Sequence, residues 1–185
     1  PKQLFIQIIQ SDHKNFIYFI FFLISFKLLI NGHFLLAIFY TPTAITFLQY
    51  FFSSVISLVI IIASAFVVKK ISQSKNYQTR FKDNLSLIFF SLIPFLFGGV
   101  ILFPLEVALF GEYLFSQSPS PFQIKNSLAI LFSALEIGII IWSIGLLTIA
   151  LNIQLGAKKI AIVFSIFLIL LINLSQFILL QILSS

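Results

Sequence analysis

Five stretches of this chain carry almost no charge and each runs past the roughly 20 residues that a helix needs to cross a hydrocarbon layer about 30 Å thick. They are 16–40, 42–68, 85–110, 126–151 and 160–182. Lipid offers no water to an exposed amide, so a spanning backbone must be helical or a closed barrel. The barrel signature, alternation over about ten residues per segment, is absent. The expected fold class is therefore all-α: a polytopic membrane protein in which five transmembrane helices form a single domain over residues 1–185.

Composition agrees with this reading. Of 185 residues, 60% are hydrophobic and 9% are charged, against about 25% charged in a soluble domain. That is too little charge to coat a water-facing globule, and it argues against a nucleic-acid reader or a disordered chain. With no cysteine there is no disulfide, thiolate metal site or thiol nucleophile. No Walker loop, HExxH or GxSxG occurs, and His13 and His33 are too far apart along a helix to share a metal. The chain is expected not to be an enzyme and to need no cofactor. The first apolar run is too long for a signal-peptide core and lacks a small-residue cleavage site, so it is expected to be retained.

Basic residues set the topology. Lys69, Lys70, Lys75, Arg80 and Lys82 fall in the loop 69–84, Lys158 and Lys159 in the turn before the last span, and Lys2 and Lys14 ahead of the first. With five spans these segments share one side, while the outer loop 111–125 holds only Lys125. The positive-inside rule then places the N-terminus in the cytoplasm and the C-terminus outside or in a lumen. The same five basic residues of the loop 69–84 also offer a contact for anionic lipid headgroups. Ahead of the first span, Gln3, Gln7, Gln10 and Lys14 recur at helical spacing opposite Leu4, Phe5, Ile8 and Ile9. This pattern predicts a short helix lying at the membrane interface.

Two ionisable residues lie deep in spans, where each costs about 2.5–3.5 kcal/mol on insertion scales. Lys27 is about 16 Å past the cytoplasmic start of span one, and Glu136 about 15 Å past the outer start of span four. Their depths coincide, which makes Lys27 and Glu136 a candidate pair. Three arrangements meet the cost: a structural ion pair, a snorkelling lysine with a protonated glutamate, or part of a proton or ion path. Glu106, two residues after Pro104, is expected near the outer interface, within reach of water.

Small and polar residues align on two spans: Gln49, Ser53 and Ser57 on span two, and Ala134, Gly138 and Gly145 on span four. In lipid such stripes let helices approach closely, so both are expected to pack helices. Pro94 and Gly98-Gly99 are expected to kink span three. Asn173 and Gln176 are expected to hydrogen-bond between helices.

The order of features resembles the bacterial branch of the Ypt-interacting-protein (Yip) family of five-span membrane proteins. The resemblance is carried by Pro1-Lys2 with the amphipathic stretch through Ile9, by Ser91-Leu92-Ile93-Pro94 and by Trp142-Ser143-Ile144. It extends through the run Leu151-Asn152-Ile153-Gln154-Leu155-Gly156-Ala157-Lys158-Lys159-Ile160-Ala161. The chain departs from that family in Lys27 and in spans rich in Ile and Phe rather than Gly and Ala. The resemblance implies a bacterial inner-membrane location and no catalytic residues; eukaryotic members are implicated in vesicle trafficking and in contacts with small GTPases and with each other. The expected role is a non-enzymatic accessory or scaffold subunit of a membrane assembly. Its expected partners are membrane lipids and other integral membrane proteins or its own copies, with no nucleic acid. The alternative is a small transporter or channel subunit working through Glu136 and Lys27.

Overall fold

The computed structural model describes residues 2–10, 47–77, 79–115 and 119–184, and among them there is no strand. The first expected span, 16–40, lies outside the described residues, and with it Lys27, His13, His33 and Lys14. Eight α-helices follow in order among the described residues. They are α1 (Lys2–Gln10), α2 (Phe47–Ser74), α3 (Phe81–Ser91), α4 (Ile93–Phe97), α5 (Phe103–Phe110), α6 (Pro121–Ile124), α7 (Asn126–Leu155) and α8 (Lys158–Ser184). A π-helical turn, Gly98–Leu102, joins α4 to α5, and a 3₁₀ turn, Gly111–Phe115, follows α5. Four stretches are long and apolar enough to cross a membrane: Val55–Ser74, Ile93–Leu114, Asn126–Leu155 and Lys158–Ser175.

Short connections make neighbouring helices antiparallel. In the bundle α8 packs against both α7 and α2, and α3 also bridges α2 and α7, so the four close a ring. Ile61, Ala65 and Val68 of α2 meet Ile88, Phe89 and Leu92, then Leu147, Leu151 and Leu155 of α7, and Ala161, Leu168 and Ile172 of α8. On α2 the buried residues Ser57, Ile61, Ser64, Ala65, Val68 and Ser72 recur every three or four positions, one stripe of a helix. The opposite face shows Val59, Ile62, Phe66 and Val67 to the surroundings, the apolar exterior that a bilayer requires.

Two hydroxyls buried in this core, those of Ser91 and Ser165, are satisfied within their own helices. Ser91 Oγ donates to the Leu87 carbonyl at 2.6 Å, and Ser165 Oγ to that of Ala161 at 2.7 Å. Such back-bonding hides a polar side chain without a neighbour's help. Asn173 donates through Nδ2 to the Ile169 carbonyl of its own helix at 2.8 Å. The side chain of Gln176 lies outside the described residues.

Span three is not one helix. Leu92 leaves helical geometry at φ −91°, ψ 3°, and its N–H bonds back to Phe89 in a tighter turn. Pro94 then enters the first turn of α4, where its missing N–H costs nothing. Further on, the Phe103 N–H reaches Gly98, five residues back. That widened turn stands directly before Pro104, whose ring would clash with a carbonyl four residues earlier in a regular helix.

Candidate functional site

One end of the bundle collects the charge. There α2 ends, α3 begins, and α7 turns into α8, so Lys69, Lys70, Lys75, Arg80, Lys82, Lys158 and Lys159 come to a common rim. The α2–α3 loop is held down on the α7–α8 turn by three contacts. Ser72 Oγ donates to the Gln154 carbonyl at 3.1 Å in a buried bond, and Lys75 Nζ to the Leu155 carbonyl at 3.4 Å. Tyr77 covers Gly156, which has φ +60° and closes α7 through its own N–H to Asn152. The last carbonyls of a helix lack partners of their own; Ser72 of α2 supplies one and Lys75, just past its end, another. α1 seats at the same end: Phe5, 2% exposed, packs with Leu87 of α3 and Ala150 of α7. This stretch is thus a helix docked on protein as well as an amphipathic one.

Between the end of α2 and the start of α3 a cavity of about 650 Å³ is lined by Lys69, Gln73, Thr79, Arg80 and Phe81. Lys70, Lys75 and Lys82 flank this wall in sequence without lining it.

Deeper in the bundle, two carboxylates occupy one level. Phe110 of α5 and Phe132 of α7 meet edge to face with centroids 6.1 Å apart. Because these helices run antiparallel, one turn toward the basic end leads from Phe110 to Glu106 and from Phe132 to Glu136. Both are enclosed, Glu106 at 2% exposure and Glu136 at 5%. Glu106 is therefore not a water-facing interfacial residue. The wide turn before Pro104 adds a residue to the winding and rotates Glu106 inward. On the same inward face of α7, Ser133 Oγ donates to the Ala129 carbonyl at 2.9 Å. Ser143 is fully buried, and its Oγ has no hydrogen-bond partner among the described residues.

The small-residue stripes separate. Ser57 is fully buried on the inner face of α2, whereas the side chains of Gln49 and Ser53 lie outside the described residues. Ala134, Gly138 and Gly145 face outward on α7, and a Cβ added at either glycine would touch nothing within 4 Å. They do not pack the described helices together, which corrects that part of the expectation. Of the three, Gly138 borders a surface groove of about 300 Å³, walled with it by Phe97, Gly98, Ile101, Leu135 and Trp142. Phe97 and Trp142 stack across it at 6.0 Å. Gly98 of the kinked segment thus contributes to the groove, while Gly99 is half-buried beside it.

Among the described residues no three His, Asp or Glu side chains gather as a metal site would need. Compared with family models, curated proteins and solved structures, the chain has no match.

Proposed function

We propose that this protein is a non-enzymatic, five-span membrane subunit that associates with other membrane proteins or with its own copies in the bilayer plane. The N-terminus and the basic rim lie in the cytoplasm, as the positive-inside rule directs, in a bacterial inner membrane if the Yip resemblance holds. The observation that carries the reading is the outward groove on α7. Apolar burial does not drive helices together in lipid, so association rests on close backbone approach. Gly98 and Gly138 permit that approach, and the stacked Phe97 and Trp142 give it a shaped rim. Trp142 lies about 20 Å from the basic end of α7 and about 24 Å from the other, away from the interfacial belts where exposed tryptophans are enriched. A partner helix accounts for that position.

The test is Gly138→Leu. Open space around Gly138 lets the folded chain accept leucine, so thermal stability in detergent should stay within about 1 kcal/mol of the parent. Cross-linking in native membranes should lose the higher-mass species. Unchanged cross-linking would reject the groove as an interface.

A second reading has its own observation, the shared level of Glu106 and Glu136. Two buried carboxylates in a bundle are the kind of group that marks a proton or cation path. Under this reading, vesicles holding the purified chain show proton or cation flux that Glu136→Gln abolishes and Glu106→Gln reduces. Flux absent from the parent protein rejects it.

A further inference from the structure

We infer that the cavity between the end of α2 and the start of α3 binds the phosphate group of an anionic phospholipid, with an acyl chain laid along Phe66. Its donors come from both walls. Lys69 and Gln73 project from successive turns of α2, and Thr79 and Arg80 lead into α3. Asn84, fully buried, donates through Nδ2 to Thr79 Oγ1 at 3.3 Å. That oxygen is thereby engaged as an acceptor, which leaves the threonine O–H to donate into the cavity. Arg80 begins α3 without a side-chain cap over the helix's first amides. The nearest carboxylate in sequence, Asp83, is buried at 7% exposure, while Lys70 and Lys82, each next in sequence to a lining residue, are exposed. The cavity is therefore cationic.

The apolar half of the site adjoins it. Phe66, one turn before Lys69 and Lys70, is half exposed and stacks on Phe81 with centroids 4.2 Å apart. Phe81 also lines the cavity. Below it, Ile62 and Val59 continue an exposed apolar strip along α2. Charged donors meeting a lipid-facing strip match a molecule with a phosphate head and a hydrocarbon tail. A free phosphate would use only the first part. This inference needs the chain to lie in a bilayer but not to join an assembly, so the Gly138→Leu test can fail without touching it.

The experiment uses the full chain in neutral detergent, titrated with phosphatidylglycerol, phosphatidylcholine or glycerol phosphate and read by native mass spectrometry. One equivalent of phosphatidylglycerol should bind saturably, with phosphatidylcholine and glycerol phosphate each at least about tenfold weaker. Lys69→Gln with Arg80→Gln should weaken phosphatidylglycerol about 30-fold, from about 1 kcal/mol for each basic group. Lys158→Gln with Lys159→Gln removes equal charge from the same end and should change binding by less than about threefold. Equal losses in both double variants, or no loss in the first, would overturn the site. Glycerol phosphate binding as tightly as the lipid would overturn the lipid assignment. If the glutamine pair fails to fold, Lys69→Arg with Arg80→Lys keeps the charge and should retain binding; loss in that folded variant also overturns the site.

Discussion

Tyr77 lies so close over Gly156 that a Cβ on the glycine would stand 2.9 Å from the phenol oxygen. The contact joins the α2–α3 loop to the turn between α7 and α8, two segments 79 positions apart in the chain. It helps fix the basic end by tying the loop that joins α2 to α3 onto the turn that joins α7 to α8.

Gly156→Ala is expected to destabilise the fold twice over. The left-handed backbone at φ +60° alone costs a residue with a side chain about 1–2 kcal/mol, and the overlap with Tyr77 adds to it. In a Tyr77→Ala background the cost should fall to the backbone part. Denaturant unfolding in detergent of the four proteins of this cycle measures the difference. Equal costs in both backgrounds would show that the ring is not what the glycine accommodates.

Ser72→Ala removes the hydroxyl that satisfies the Gln154 carbonyl inside the protein. A buried acceptor left without its donor costs about 1–3 kcal/mol. The loss should appear as a lower unfolding midpoint and faster hydrogen exchange at the end of α7. Ser74→Ala is the control, since its hydroxyl bonds Ile71 in its own helix at an exposed position and should change stability by less than about 0.5 kcal/mol.

Phe5→Ala empties the seat of α1 between Leu87 and Ala150. Large-to-small substitution of a buried aromatic costs about 3–5 kcal/mol in a well-packed core. Here the helix can leave instead, so the expected result is release of residues 2–10 to protease with the main bundle intact. Protease resistance equal to the parent's would mean that the phenylalanine does not hold α1.

How much of this was legible beforehand depends on which physical signal each residue carries. The apolar runs and the common side of Lys69, Arg80 and Lys158 follow from hydropathy and from counting crossings. The buried place of Ser57 lies on a regular stripe of α2. The inward turn of Glu106 does not follow from sequence spacing, because the π-helical turn before Pro104 breaks the 3.6-residue period that would place it. Nor does the outward facing of Ala134, Gly138 and Gly145. On α7 the polar residues Ser133, Glu136 and Ser143 mark the buried face, and the small residues lie off that line; small size alone does not tell a core-facing stripe from an outward one. The cavity at Lys69 and Arg80 depends on how the loop folds back, and Asn76 at φ +62° and the seat of Tyr77 decide that.

The central claim is that the basic rim and the loop after α5 lie on opposite faces of a membrane. The natural chain has no cysteine, so single cysteines at Asn76→Cys and Glu112→Cys can be labelled cleanly. In sealed vesicles of known orientation, a membrane-impermeant maleimide should reach Asn76→Cys only from the cytoplasmic face and Glu112→Cys only from the other. Labelling of both positions from the same face would contradict the account.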